Sequence, residues 1–333
     1  MPDIRDISSF SYALQPGTIL HQYVITRAIG RGGFTITYLG QDEYTKNQVV
    51  IKEHFPIALC IRRMHYLNVV PMDKRVAAAY HISLHYFMDR ATAYSKLAHP
   101  NIVPIYRCFI ENGTGYYVMP HIKGQPLNRV ARRQDTPSGE WLMRQLKTLL
   151  SALEYLHRNE FLHRNIKPDS IILNHAGDPV LIEMRLYGQL SKLEICGYVE
   201  GTPYEAIEEV GNHDKLGPWT DLYSLGATFY TIITGERPPI AMDRIIEDCY
   251  SPLAENSSYT SRYPLELLSS IDKALNLPQK NRWQSAQEWL DALNTSPQKN
   301  SQPSKQAMSQ TSHLRTFFDK IRSAFTGKKE KKS

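Results

Sequence analysis

Alternating hydrophobic and polar residues in the first third of the chain predict a series of β-strands. Two such runs, residues 23–29 and 35–39, are separated by a short segment that contains Gly30, Gly32 and Gly33. Two strands joined by a glycine turn predict a hairpin. Glycine lets the backbone approach a ligand closely and present its N–H groups to phosphate oxygens, although the same turn can be purely structural.

Three further β-branched or aromatic runs predict strands at residues 49–53, 102–106 and 115–119. The apolar spacing of residues 76–97 predicts a long helix between the first two of these strands. Lys52 lies near the end of the first run, where a lysine is either solvated or directed toward an anion.

The second half of the chain has a helical pattern. Apolar residues recur at intervals of three and four across residues 140–159, which predicts an amphipathic helix whose apolar side is core. Two short apolar runs, 171–173 and 180–182, come after this helix.

Composition fits a globular protein, with 42% hydrophobic and 22% charged residues. No apolar run reaches the ~18 residues that a membrane-spanning helix needs. Residues 1–16 form a leader without the apolar region of a signal peptide, so we expect a cytoplasmic protein. The four cysteines form no CxxC pair, which argues against a disulfide or zinc framework.

The positive charge of the chain is confined to its end. Residues 295–333 hold nine lysines and arginines against two acidic residues, a net charge of +7, so the rest of the chain carries −1 out of a total of +6. A neutral globular part argues against nucleic-acid binding.

Within that end, polar residues 295–313 predict a flexible linker, and residues 314–333 predict a basic amphipathic helix. Its apolar face holds Leu314, Phe317, Phe318, Ile321 and Phe325. Such a helix binds an anionic membrane surface, here the inner face, or an acidic groove of a protein partner, and residues 314–332 are the candidate contact. The alternatives are a helix docked on its own domain and a disordered end.

Residues 163–170, which read H-R-N-I-K-P-D-S, resemble the catalytic loop of protein kinases, H-R-D-x-K-P-x-N. The likeness is to bacterial Ser/Thr protein kinases and covers residues 17–293. Lys167 matches the loop's lysine. Asn165 replaces the catalytic-base Asp, and Ser170 replaces the Asn that holds a second Mg²⁺.

The resemblance implies an ATP site at the predicted hairpin and strand. Gly30, Gly32, Gly33 and Thr37 would surround the phosphates, although Thr35 replaces the third glycine of the family's G-x-G-x-x-G pattern. In the family, the lysine at the position of Lys52 pairs with the α- and β-phosphates.

The resemblance also implies a hinge at residues 120–124. Adenine would accept a hydrogen bond from the Ile122 N–H and donate one to the Pro120 carbonyl, with Met119 and Leu173 lining its pocket. A plain linker between two lobes would need the same residues.

Two charged positions depart from the family. Glu183 stands where D-F-G has its Mg²⁺-binding Asp, and Arg185 replaces the glycine of that triplet. Arg90 aligns with the helix Glu that pairs with the strand lysine, with Asp89 beside it. Because like charges at ~4 Å repel by about 4 kcal/mol at a dielectric near 20, we expect Arg90 to lie away from Lys52. The helix would be swung out or rotated, or the alignment shifted by one residue.

Scaffold residues match the family better. Asp221 is expected to bond the backbone of the catalytic loop, and Arg282 is expected to pair with Glu208. The resemblance therefore implies a bilobal α+β protein-kinase fold, with an N-lobe at 17–119 and a C-lobe at 125–294.

The predicted function is that of a pseudokinase, which binds ATP with a degraded Mg²⁺ site and acts as a signalling scaffold or regulator. One alternative is an active Ser/Thr kinase in which Glu183 holds one Mg²⁺. Another is a membrane-tethered adaptor whose pocket is empty.

Overall fold

A computed structural model of the protein describes residues 12–63, 66–133, 137–186, 201–210 and 215–295. Most of the predicted leader, the predicted linker beyond Thr295 and the predicted tail helix at 314–333 lie outside these residues. Among the described helices, none is both long and apolar enough to cross a bilayer.

An antiparallel sheet and one long helix form the N-lobe. In chain order the elements are β1 (Ile19–Leu20), β2 (Tyr23–Arg31), β3 (Thr35–Asp42), β4 (Gln48–His54), β5 (Cys60–Arg62), β6 (Val69–Pro71), α1 (Ala77–Tyr94), β7 (Arg107–Glu111) and β8 (Thr114–Pro120). The sheet order is β1-β2-β3-β4-β8-β7, and β5 and β6 pair separately. The glycine hairpin and the strand of Lys52 are neighbours in this sheet.

Two sequence predictions for this lobe need correction. Residues 102–106 are not a strand of the sheet: Pro104 has no N–H, and the Val103 N–H bonds the carbonyl of Leu181 in the other lobe at 3.0 Å. The folded domain also begins before residue 17, because Leu14 is buried in the N-lobe core and its N–H donates to the Tyr38 hydroxyl at 3.1 Å.

The β5–β6 hairpin falls between the strand predicted at residues 49–53 and the helix predicted at residues 76–97. An ion pair holds it to the sheet: the Arg62 guanidinium pairs with the buried carboxylate of Glu53. Tyr38 and Tyr116 each donate a hydroxyl hydrogen bond to the same carboxylate at 2.7 Å. The carboxylate is therefore both paired and hydrogen-bonded in the lobe interior, as a buried charge requires.

The C-lobe is mainly helical and contains a small antiparallel sheet ordered β11-β10-β9. Its elements are β9 (Gly124–Pro126), α2 (Leu127–Arg133), α3 (Gly139–Arg158), β10 (Ile171–Asn174), β11 (Pro179–Leu181), α4 (Ile207–Val210), α5 (Pro218–Thr234), α6 (Ala241–Ile246), α7 (Ser257–Thr260), α8 (Leu265–Ala274) and α9 (Ala286–Asn294). This is the bilobal α+β architecture that the resemblance implied.

Sequence signals explain the two central helices. Ser138 caps α3, where its side chain accepts the Trp141 N–H. Proline occupies the first position of α5, and Gly235 ends that helix with a φ of 77°. Most side chains of α5 are buried, so this helix supports the loop that carries the candidate catalytic residues.

Candidate active site

The backbone of the catalytic loop, residues 163–170, is held by Asp221 of α5. Its carboxylate accepts the backbone N–H groups of His163 at 2.8 Å and Arg164 at 2.7 Å, as the sequence predicted. His157 Nε2 lies 2.9 Å from the same carboxylate. Burial raises the pKa of Asp221, but the hydrogen bond and charge of His157, together with the charge of His163 and the Arg164 N–H, outweigh it and hold that pKa below its usual range. The loop is therefore anchored to a permanent anion.

Asn165 occupies the position of the base, and its side chain is committed to a hydrogen bond. The amide Nδ2 donates to the backbone carbonyl of Glu183 at 2.9 Å. An amide has no basic lone pair of useful pKa, so it cannot take the proton of an attacking hydroxyl. Here it joins the catalytic loop to the segment after β11.

Ser170 is directed into the loop. Its hydroxyl is buried, lies 2.6 Å from the Asn165 carbonyl oxygen and accepts the Lys167 N–H at 3.0 Å. These bonds brace the turn that carries Lys167. The neighbouring Asp169 bonds Asn128 of α2 and so does not replace the missing base.

Lys52 and Glu183 face each other across the two lobes. Lys52 Nζ lies 4.0 Å from Glu183 Oε1, and Lys52 is only 8% exposed. Burial lowers the pKa of Lys52, Glu183 raises it and Lys167 lowers it again. Glu183 adopts a left-handed backbone with a φ of 63°, a conformation that a non-glycine residue holds only at a cost.

Neither Glu53 nor Asp89, two carboxylates that could have paired with Lys52, does so. Glu53 points to the opposite face of β4, as strand alternation requires, and binds Arg62. Asp89 contacts His85 on the exposed side of α1, at 3.3 Å. Arg90 lies over the Phe161 ring in the C-lobe, 4.2 Å from its centroid. The expected separation of Arg90 from Lys52 is therefore present, and the aromatic partner of Arg90 was not predicted.

The Arg185 side chain is directed toward α4 and not toward the predicted metal position. Its guanidinium lies 2.9 Å from Glu205 and 3.4 Å from Glu209, near α4. Arg164 lies 3.6 Å from the same Glu209 carboxylate. Burial raises the pKa of Glu209 to about 7, although both arginines lower it. This charge cluster ties the catalytic loop to α4, and sequence reasoning missed it.

The glycine hairpin forms the predicted turn between β2 and β3. Gly30 pairs with Thr37 in the ladder, and the Gly32 N–H bonds the Thr35 carbonyl at 2.9 Å. The Gly33 carbonyl accepts the Ile57 N–H at 3.0 Å, so the segment after β4 supports the tip of the hairpin.

The predicted hinge follows β8 directly. Met119 is buried beside Val50 of β4, and Leu173 is buried in β10. Gly124 passes so close to the Leu173 carbonyl that a Cβ there would clash with it. Pro120 and Ile122 are half-buried, so their backbone groups lie at the border of the cleft.

Several of these residues are placed where they could hold a nucleotide. Lys52 is a buried cation beside the glycine hairpin, and the hinge offers backbone donors and acceptors. Glu183 is the one acidic side chain at the predicted metal positions, because Ser170 is turned inward. Among the described residues, no group of three or more His, Cys, Asp or Glu side chains could hold a metal ion, although Mg²⁺ at a phosphate site usually takes only one or two protein carboxylates.

A buried ion pair between Glu208 and Arg282 joins two parts of the C-lobe near the site. Arg282 Nη1 donates to Glu208 Oε1 at 2.8 Å, and both side chains are buried. Thr220 donates a further hydrogen bond to this carboxylate at 2.9 Å. The pairing predicted from sequence is confirmed.

The structure combines two lobes joined by a hinge, a buried lysine (Lys52) in β4 and a loop whose backbone is bonded by Asp221. Together these features define the protein kinase fold. The sequence profile of the protein kinase domain matches residues 74–293, about two thirds of the chain. The chain therefore belongs to the protein kinase domain family.

Individual relatives agree with this assignment. The chain is 26% identical over 306 residues to the serine/threonine-protein kinase PknD of Protochlamydia amoebophila, with 80% of this chain and 29% of PknD covered. The chain thus spans less than a third of that relative. Structurally it is similar to the apo form of PpkA-294 at a TM-score of 0.71 and 32% identity, with 85% of this chain and 100% of PpkA-294 covered.

A structure of Rad53 residues 1–466 in complex with AMP-PNP shares the fold. Its TM-score is 0.60 at 18% identity, with 81% of this chain and 64% of the Rad53 chain covered.

Proposed function

We propose that this chain is a nucleotide-binding pseudokinase, which binds ATP and regulates or scaffolds protein partners without transferring phosphate. The observation that carries the proposal is the bond from Asn165 Nδ2 to the Glu183 carbonyl at 2.9 Å. This bond supports inactivity, because Asn165 aligns with the family's base and its amide is already hydrogen-bonded.

Rate arguments support inactivity. A general base contributes about 10²–10⁴ in rate. Phosphoryl transfer depends mainly on positioning and on metal ions that neutralise the phosphates, so the loss of the ligand at Ser170 compounds the loss of the base.

Charge and shape support nucleotide binding. Lys52 is buried in β4, next to the glycine hairpin, and the positive charge of Lys167 helps to lower its pKa. Rad53, which shares the fold, was solved with the ATP analogue AMP-PNP. We therefore propose that ATP binds through Lys52, Lys167 and the hinge, with little dependence on Mg²⁺.

The second candidate is an active Ser/Thr protein kinase. It is favoured by Glu183, which keeps a carboxylate at the metal position, 4.0 Å from Lys52. The intact frame and the Ser/Thr kinases among its relatives are equally consistent with this reading.

Thermal unfolding with increasing ATP, in EDTA and in Mg²⁺, tests nucleotide binding. A ligand at 100 times its Kd stabilises the folded state by about 2.7 kcal/mol, so ATP should raise the Tm in both buffers. Lys52→Met should abolish this increase in Tm. Lys74→Met, at an exposed lysine of the same lobe, should leave the increase unchanged.

If ATP produces no rise in either buffer, the proposal of nucleotide binding is wrong and the adaptor with an empty pocket is favoured. A rise that appears only with Mg²⁺ favours the active kinase.

A further inference from the structure

A cavity of about 700 Å³ opens in the C-lobe between α6, the segment at residues 252–255 and α8. Its wall includes Ile245, Tyr250, Pro252 and Leu277. No residue of the glycine hairpin, the hinge or the catalytic loop lines it. The cavity is thus separate from the site described above.

The polar groups of the wall are satisfied by one another. Arg244 is buried, donates to Asp248 at 2.8 Å and to the Leu275 carbonyl at 2.8 Å, and lies over the Tyr250 ring. Asp272 accepts the backbone N–H groups of residues 253 and 254 at 2.8 and 2.9 Å. A ligand would therefore be recognised by apolar contact and by charges at the rim.

The rim is acidic and carries an exposed apolar side chain. Glu255 lines the cavity and is exposed. Asp243 and Glu247 are exposed on α6, next to lining residues of that helix, as is Ile246, which is 89% exposed. Residues 241–277 hold six acidic and three basic residues, a net charge of −3 in a chain whose total is +6. This surface suits a partner that is both basic and apolar.

The chain itself contains such a segment, residues 314–332. It is joined to the domain after α9, and α9 contacts a residue of the cavity wall. Lys273, which lines the cavity, pairs with Glu288 of α9 at 3.1 Å. From Glu288 to the end of α9 at Asn294 is about 9 Å at 1.5 Å per residue. Residues 295–313 then span up to ~60 Å when extended, far more than the segment needs.

We propose that residues 314–332 bind in this cavity of their own C-lobe. The face of Leu314, Phe317, Phe318, Ile321 and Phe325 packs on the apolar wall and on Ile246. The lysines and arginines around that face lie against the acidic rim. A linker of this length holds the segment at an effective concentration of roughly millimolar, so a weak contact suffices. The bound segment is withheld from membranes and from other proteins. This inference does not depend on nucleotide binding.

Cysteine crosslinking in the full chain tests the proposal. Cys249 is an exposed thiol beside the rim, and Ala324→Cys places a second thiol in the segment. A short bismaleimide should join the two within one chain, and mass spectrometry identifies the linked peptides. Cys249→Ser should abolish the product.

Charge reversal at the rim provides the matched comparison. Glu247→Lys with Glu255→Lys should lower the intramolecular yield about tenfold, because each reversal replaces an attraction by a repulsion. Glu43→Lys with Glu160→Lys, at exposed sites elsewhere, should leave it unchanged. Melting curves of both double variants establish that they are folded.

Vesicles of phosphatidylglycerol distinguish a membrane from the cavity. If the cavity holds the segment, the rim variant should bind vesicles several-fold more than the wild type. Three outcomes would each overturn the proposal. The two proteins could bind vesicles equally, the rim variant could give the same yield of intramolecular crosslink as the wild type, or the crosslink could form only between two chains.

Discussion

Lys52 in the N-lobe and Glu183 in the C-lobe form a cross-lobe ion pair, with Nζ 4.0 Å from Oε1. In the proposed pseudokinase, Glu183 is a partner of the lysine and not a metal ligand. The Glu183 side chain is 35% exposed, so solvent weakens this pair and its contribution to stability is small.

The first prediction concerns this pair. Glu183→Gln removes a negative charge near the phosphates, so ATP should bind roughly fivefold more tightly in EDTA, which corresponds to about 1 kcal/mol. Calorimetric titration with ATP measures the change. Glu43→Gln, at an exposed turn of the N-lobe, should bind as the wild type does. Weaker binding of the Glu183→Gln variant in Mg²⁺ would instead identify Glu183 as a metal ligand.

The second prediction concerns the Glu208–Arg282 pair. Glu208→Gln leaves a buried guanidinium without its counter-charge, which should lower the free energy of unfolding by about 3–5 kcal/mol. The exposed pair of Arg144 and Asp178, 3.0 Å apart, supplies the control. Arg144→Gln should cost at most about 1 kcal/mol in the same urea titration. Equal losses for the two variants would contradict the account.

The third prediction concerns pH. Burial lowers the pKa of His163 to about 4, although Asp221 opposes the shift. The unfolded chain takes up this proton near pH 6.5, so the folded state is favoured fully above that pH and loses stability as the pH falls toward 4. His163 contributes a loss on the order of 3 kcal/mol. His54, whose pKa burial lowers to about 3, adds to the slope in the same pH range.

Urea titrations from pH 7 to 4 measure this dependence. His163→Phe should be less stable at pH 7 yet flatten the loss on acidification, whereas His175→Gln, at an exposed turn, should keep the wild-type slope. An unchanged slope in the His163→Phe variant would show that His163 is not the group responsible.

The fourth prediction concerns the β5–β6 hairpin. Arg62→Met leaves the Glu53 carboxylate buried without its cation, and should lower the free energy of unfolding by about 3–5 kcal/mol. Because Glu53 faces away from Lys52, ATP affinity of the folded fraction should not change. A large loss of ATP affinity with unchanged stability would place Glu53 in the nucleotide site.

The sequence predicted the frame because its residues follow local rules and occur in the family's order. Asp221 and the Glu208–Arg282 pair lie where the motifs put them. The bounds of long periodic elements were also predicted to within one residue: the helix predicted at 140–159 is α3, Gly139–Arg158.

Features that depend on tertiary contacts were not predictable. The β5–β6 strands are three residues each and are held by Glu53, which precedes them in β4. At residues 102–106 the apolar run is real, but the Val103 N–H bonds Leu181 of the C-lobe, and only at Tyr106 does the run bond the sheet, through the Val118 carbonyl at 2.7 Å. The sequence identified Asn165 and Ser170 as replacements, yet the atoms they bond became evident only in the folded loop.

The central claim is that this domain does not transfer phosphate, and the most direct measurement is the transfer of radiolabel from γ-labelled ATP. Full-length protein is incubated with a generic protein substrate in Mg²⁺ or Mn²⁺, beside the Lys52→Met variant. The account predicts no label above that of the Lys52→Met variant on either the protein or the substrate. Label that appears with the wild type and disappears with Lys52→Met would contradict it and establish an active kinase.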